Sequence, residues 1–355
     1  MPHRKLAFVE WLMAVGLVAV LAGMNPSGQS AANTADEHVA AAKAAAGQEH
    51  TAVFNNLCAA PAPARAVAPA PRTQPPPAQR QGPPDRSVWY AEPAKVFDNL
   101  YYLGQTEYSA WAVTTSAGII IVDALFDYSA NDEIVNGLTK LGLDPMTIKY
   151  VIVSHGHIDH AGGARLLQDL TGARVVMSAA DWDLIGRNTQ AWPKPKRDMI
   201  ATDAMLLTLG DTTLTLHLTP GHTPGTISTL IPVKDQGRPH VAAEWGGTGF
   251  NFTVTPDKPR RFWFEEYARS AERFRDAVTK AGADVLIANH PNQDGAKAKL
   301  AALSKRAPGA PHPFVIGSDS VRRYVAPTSR TRFPAMSRSG ALAISASLST
   351  RAAAE

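Results

Sequence analysis

Three histidines and one aspartate fall within six residues of the stretch Ser154-His155-Gly156-His157-Ile158-Asp159-His160-Ala161-Gly162-Gly163. Imidazole nitrogens and a carboxylate are the donor set of a transition-metal site. His155 and His157 are one residue apart, so in an extended loop both side chains can turn to one point. Asp159 and His160 follow one short turn later and can reach a second point nearby. Two more histidines have comparable surroundings. His222 lies in Thr219-Pro220-Gly221-His222-Thr223-Pro224-Gly225, where Pro and Gly force tight turns. His290 lies in Ala288-Asn289-His290-Pro291, after an apolar run. Taken alone, either is as often structural as functional. With the first cluster they complete two three-ligand sets. The one cysteine, Cys58, excludes an intramolecular disulfide framework and a Cys-rich metal site, so the ligands have to be His and carboxylate.

The elements that must hold these residues are short and alternate in type. Residues 118–123 and 150–153 are nearly continuous apolar runs, as expected of strands buried on both faces. The second ends directly before Ser154. Residues 95–103, 111–115, 173–177, 212–218, 226–231, 241–245 and 284–288 also have strand patterns. Residues 212–218 lead into the His222 turn, and 284–288 into His290. Helical spacing marks residues 131–141, 164–170, 265–281 and 296–303, the first closed by Gly142 and Pro145. Strand pairs precede β–α units in both halves, which predicts an α/β protein with two sheets face to face and helices outside.

The chain has 355 residues, 45% hydrophobic and 19% charged, enough for one large domain. Its formal charge is +4, and residues 319–355 carry six Arg against two acids, so the other 318 residues are neutral overall. A neutral body excludes a general nucleic-acid-binding role. Residues 1–32 have the pattern of a signal peptide: Arg4 and Lys5, an apolar run over 11–23, and Ser30-Ala31-Ala32 as a cleavage site. A one-helix membrane anchor is the competing reading. The expected protein is periplasmic or secreted, without stable membrane insertion after cleavage, and monomeric. Residues 33–87 are Ala- and Pro-rich, with nine of the 27 prolines between 61 and 84, and are expected to form an extended arm with Cys58 in a flexible region. The globular domain is expected over 88–326, and a disordered basic tail over 327–355.

The His-x-His-x-Asp-His motif, the Pro-Gly-His-Thr-Pro-Gly turn and the last strand-end histidine together resemble the metallo-β-lactamase superfamily. The resemblance covers residues 88–324. It implies an αβ/βα four-layer sandwich with two zinc ions at one sheet edge: His155, His157 and His222 at the first, Asp159, His160 and His290 at the second. Glyoxalase II, lactonase and RNA-processing members carry a bridging Asp in a Gly-Asp-x-x-Phe context. Here Gly247 stands at that place, in Gly246-Gly247-Thr248-Gly249-Phe250. Without a bridge, the ligand pattern is similar to the third subclass of true metallo-β-lactamases. The implied activity is opening of the β-lactam amide by a metal-bound hydroxide, with Asp159 as the catalytic residue that orients the nucleophile or relays its proton. The alternative is a same-fold zinc hydrolase of another small ester, amide or lactone with weak β-lactamase activity. Thr248, Phe250 and Asn251 are candidate contacts for the small-molecule substrate. Asp123 is expected to steady a metal-binding histidine and Ser154 to orient the loop. Glu244 has no place in the pattern and is expected to point outward from its strand.

Overall fold

The structure, a computed structural model, describes residues 35–58 and 82–329. The described chain opens with α1 (Ala35–Ala46), α2 (Thr51–Cys58) and α3 (Arg86–Trp89). The first sheet then begins with β1 (Ala94–Lys95), β2 (Leu100–Tyr102), β3 (Trp111–Thr115) and β4 (Gly118–Val122), each antiparallel to the one before. A π-helical turn (Asn131–Val135) leads into α4 (Asn136–Lys140) and then β5 (Ile148–Ile152). After β5 come α5 (Ile158–Ala161), α6 (Ala164–Thr171), β6 (Arg174–Ser178), α7 (Ala179–Arg187) and β7 (Met199–Ala201). Strands β4 to β7 are parallel neighbours, and the sheet order is β1-β2-β3-β4-β5-β6-β7.

The second sheet has β8 (Met205–Leu209), β9 (Thr212–Leu218), β10 (Ile227–Asp235) and β11 (Arg238–Trp245) as an antiparallel meander. After α8 (Arg260–Ala281), β12 (Val285–Ala288) returns parallel to β11, giving the order β12-β11-β10-β9-β8. The short α9 (Pro291–Asp294), α10 (Ala296–Leu303) and α11 (Ser318–Ser329) follow.

Strand alternation builds three cores. On β4, Ile119 and Ile121 face the helices, with Leu138, Leu167 and Trp182, while Ile120 and Val122 face the other sheet. The middle core joins Ile120, Val122 and Ile152 of the first sheet to Leu214, Leu216, Ile231 and Ile287 of the second. The third lies outside the second sheet, where Ala243, Trp245 and Leu286 meet Tyr267, Ala271, Phe274 and Val278 of α8. Those α8 positions recur every three or four residues, one stripe of the helix. Helices, sheet, sheet, helices: this is the four-layer αβ/βα sandwich.

Several boundaries differ from the sequence reading. The expected strand over 95–103 is a hairpin, because Val96 N–H donates back to Leu100 O (2.8 Å) and folds the run on itself. The expected helix over 131–141 starts as a π-helical turn, with Asn136 N–H donating to Asn131 O, and this wide turn buries Glu133. Helix α8 starts at Arg260, earlier than expected, because Trp263 stacks on Phe252 (5.8 Å). It closes at Gly282 in the left-handed region (φ 64°).

The expectation of an extended arm over 33–87 is corrected for residues 35–58. They form α1 and α2, with Ala42, Ala46, Val53 and Leu57 buried. Val53 and Leu57 join the core that contains Trp245, Tyr267 and Tyr324. His50 Nε2 reaches Ser320 O (2.9 Å), and Glu49 pairs with Arg323 (2.6 Å), tying this hairpin to α11. Composition misled here: 35–58 is rich in Ala, a strong helix former, whereas the prolines lie beyond it. Cys58 is half-buried against this core, and burial pushes its thiol up to about 11. It is not a flexible thiol. The expected tail boundary at 327 falls inside α11. Residues 1–34, 59–81 and 330–355, including the expected leader and most of the tail, lie outside the described residues. Among the described residues no helix is long and apolar enough to cross a membrane.

Candidate metal centre

Five strand ends converge at one edge of the sandwich. After β4, the chain turns at Asp123, a non-glycine residue at φ 63°. Its N–H donates to Ile152 O (2.8 Å), which holds the end of β4 beside the end of β5. Ser154 to His160 follow β5 directly, and His157 opens α5. His222 lies on the turn after β9. Gly221 there has φ 144°, and a Cβ on it would lie 2.6 Å from Tyr267 Cα, so only glycine fits. His290 follows β12 and opens α9. The Gly246–Gly249 loop follows β11.

All six expected ligands meet here, in two adjoining seats. His155, His157 and His222 offer nitrogens within 4.8 Å of one another. Their ring centroids are 4.5–5.1 Å apart. In the second seat, Asp159 Oδ2 lies 3.2 Å from His160 Nε2 and 3.9 Å from His290 Nε2, and the two Nε2 atoms are 3.3 Å apart. His155 also offers a nitrogen within 4.8 Å of donor atoms of Asp159 and His160, so the two seats adjoin at His155.

Most of the rings are fixed through the opposite nitrogen. His155 Nδ1 donates to Gly246 O (2.8 Å), His222 Nδ1 to Gly249 O (3.0 Å) and His290 Nδ1 to Glu107 O (3.1 Å). A carbonyl only accepts, so these contacts set the tautomer and leave Nε2 as the lone-pair nitrogen. His160 Nδ1 instead meets Asp123 Oδ2 (2.8 Å). Asp123 therefore does what the sequence predicted. It also accepts from Ser154 N–H (2.7 Å) and Ser154 Oγ (2.9 Å), so Ser154 orients the loop as expected.

The two seats differ in charge. Burial lowers the pKa of His155, His157 and His222, the last to about 3, so the first seat holds three neutral imidazoles. Burial also opposes charge on His160, but Asp159 and Asp123 outweigh it and raise it to about 10. Burial opposes ionisation of Asp159, yet the His160 charge and hydrogen bond hold its carboxyl well below the usual range. Burial takes His290 down to about 4.

The substrate candidates have mixed settings. Thr248 is buried, and its carbonyl accepts from Asn56 Nδ2 of α2 (3.5 Å). Phe250 packs edge-on to Phe264 (4.7 Å) and against Tyr267 (5.1 Å). Asn251 is exposed. The expectation that Glu244 points outward is corrected. It is fully buried between the sheets, opposite Thr229 of β10, and neither carboxyl oxygen has a hydrogen-bond partner. Alternation from buried Ala242 dictates this side. Burial, then the charge of Asp123, pushes its pKa well above the carboxylate range, so it carries a proton.

Sequence reasoning missed three supports. Asn289 Nδ2 donates to Gly246 O (2.7 Å), beside His155. Tyr267 OH donates to Gly247 O (3.1 Å) and accepts from Trp245 Nε1 (3.2 Å), which pins the glycine loop. Asp181 of α7 accepts from Gly156 N–H (2.9 Å) and Thr223 Oγ1 (2.7 Å). Asn289, adjoining His290, was the one with a local signal.

The donor set fits a metal. His155 Nε2 is buried with no hydrogen-bond partner, an uncompensated cost unless a cation takes its lone pair. Neutral imidazoles and one carboxylate suit Zn²⁺.

Comparison with known proteins agrees with this architecture. The sequence profile of the Metallo-beta-lactamase superfamily matches residues 103–235. The Rm3 metallo-beta-lactamase structure is 30% identical, with 68% of this chain and 92% of that chain covered, at a TM-score of 0.57. BJP-1, a subclass B3 metallo-beta-lactamase of Bradyrhizobium japonicum, is 29% identical, with 75% and 97% covered, at a TM-score of 0.56. A hydroxyacylglutathione hydrolase of Maricaulis maris is 26% identical over 181 residues, 46% of this chain and 65% of that protein, so the chain spans just under two thirds of this curated relative. With its sandwich fold, its strand-end histidines and these matches together, the chain belongs to the metallo-beta-lactamase superfamily.

Proposed function

We propose that the protein is an exported, zinc-dependent hydrolase that opens the amide bond of β-lactams. The observation that carries this reading is the pair of seats with no room for a bridging carboxylate. A Cβ on Gly247 would lie 2.7 Å from His222 Cβ, so a side chain there collides with a ligand instead of reaching between the seats. That distinguishes the site from the bridged pattern of glyoxalase II and lactonases. His155, His157 and His222 would hold one zinc, and Asp159, His160 and His290 the other. Zinc supplies Lewis acidity and lowers the pKa of coordinated water toward neutrality.

The protein's own residues do the rest. Asp159 presents a partly exposed carboxylate beside His160 and His290, placed to orient the attacking water or take its proton. Asp123 holds His160 from below. Tyr108 stands against His290 (5.2 Å), and Gly249 of the Thr248–Asn251 segment accepts from His222 (3.0 Å), with Phe250 packed behind against Tyr267. Export rests on residues 1–32; cleavage there leaves α1, which starts at Ala35, in the mature protein.

The test is hydrolysis of a penicillin, a cephalosporin and a carbapenem by zinc-loaded protein, with and without a chelator. Turnover abolished by chelation supports the reading. A zinc-loaded protein that leaves all three intact but cleaves small thioesters or lactones establishes the second reading, which the likeness to hydroxyacylglutathione hydrolase favours. For export, the N-terminus of periplasmic protein is expected at residue 33.

A further inference from the structure

Four of the five clustered histidines have a ring hydrogen bond that fixes their orientation. His157 has none among the described residues. Its ring packs edge-on against the rings of His155 (4.7 Å) and His222 (5.1 Å). Its position therefore depends on its backbone, and that backbone is held from the side by α7.

Asp181, in the first turn of α7, is fully buried. Its Oδ2 accepts Gly156 N–H (2.9 Å), the peptide between His155 and His157. The same oxygen accepts Thr223 Oγ1 (2.7 Å), next to His222. One carboxylate thus ties together the two loops that carry the first seat. Both loops have glycine where α7 comes close. A Cβ on Gly225 would lie 1.8 Å from Ser178 Oγ and 2.8 Å from Asp181 Oδ1, and one on Gly156 would lie 2.9 Å from Ile185 Cγ2. Thr223 is itself locked, its Oγ1 lying 2.8 Å from Thr226 Oγ1. Two donors, one from each loop, meet on a single buried carboxylate oxygen, and such charge-assisted bonds are short and directional.

We propose that Asp181 is the positioning residue of the first metal seat: it sets the spacing between the His155–His157 loop and the His222 loop, and through Gly156 it aims His157. The proposal rests on the reading of those imidazoles as a zinc seat. Asp181 touches neither metal nor substrate; it acts through the backbone of the ligand loops.

The experiment is competition between the full mature protein and a chromophoric chelator for zinc, which reads each affinity without turnover. Asp181→Ala is expected to weaken the first-seat zinc about 10- to 100-fold, the usual cost of losing a partner that orients a ligand. Asp181→Asn keeps the shape and one acceptor and is expected to recover part of that loss. Thr223→Val, which removes one donor, is expected to fall between wild type and Asp181→Ala. Glu133→Ala is the control for general destabilisation. Glu133 is also buried but accepts from Ala91 N–H (3.0 Å), far from the ligand loops in its bonding, and first-seat affinity is expected to stay within two-fold. If wild-type protein takes up no zinc, the metal reading fails and the proposal with it. If wild type binds zinc and Asp181→Ala matches it within two-fold, the metal reading stands and the clamp is overturned. An equal loss in Glu133→Ala also overturns it, since the effect is then one of stability alone.

Discussion

His155 and His222 lean on main-chain carbonyls of the glycine loop, whereas His160 leans on the carboxylate of Asp123. The difference extends to charge. The first seat is three imidazoles that burial keeps neutral, ready to coordinate without losing a proton. In the second, the charges of Asp159 and Asp123 favour a proton on His160 against its burial, so metal entry there is coupled to proton release. One seat is shaped by backbone geometry and the other by a charge network. The first should therefore respond most to change in the backbone of its loops, and the second to removal of the carboxylate that contacts its ring directly.

The largest effect should come from the first seat. His222→Ala removes a ligand outright, and kcat/KM for β-lactams is expected to fall by more than about 100-fold, beyond the cost of losing a mere supporting group. Gly247→Asp should break the same seat by crowding. The new Cβ has to push His222 aside, an overpacking of about 1–3 kcal/mol, and first-seat zinc should be lost with activity. A gain of lactone or thioester hydrolysis instead would show that the site accepts a bridge.

Asp123→Asn should act on the other seat. Second-seat zinc affinity is expected to drop about 10- to 100-fold while the first changes little, as read by chelator competition. Equal losses at both would show that the two seats are not supported separately.

A smaller effect lies away from the metals. Burial raises Glu133 to about 8 from its ordinary 4.5. The folded state then binds a proton that the unfolded state has released, so stability is fullest below pH 4.5 and is lost as pH rises toward 8. The slope from this group approaches about 1.4 kcal/mol per pH unit. Glu133→Gln should flatten the fall in melting temperature across that window. An unchanged slope would show that Glu133 is ionised in the fold. Least of all, Tyr267→Phe removes the hydroxyl that holds Gly247 and Trp245, at about 1 kcal/mol in urea unfolding.

The clustering of the six candidate ligands was legible because its information is local. Histidines two residues apart after an apolar run can hardly be anything but a strand-end cluster, and Gly and Pro around His222 announce the turn. Glu244 and Asp181 were illegible for the opposite reason. Glu244 faces inward because of its register with Thr229, and Asp181 matters because α7 brings it against two distant loops. Neither fact is in the neighbouring residues. Helices α1 and α2 were hidden by composition: their buried face is largely Ala, with Val53 and Leu57 as the only large anchors in the core, so the apolar stripe is faint.

The most direct test of the two-seat account is a zinc titration of the mature protein against a competing chelator, repeated with His222→Ala and Asp123→Asn. The account predicts two zinc ions per chain with separable affinities, the first weakened by His222→Ala and the second by Asp123→Asn. A single zinc per chain, or two that both substitutions weaken alike, would contradict it.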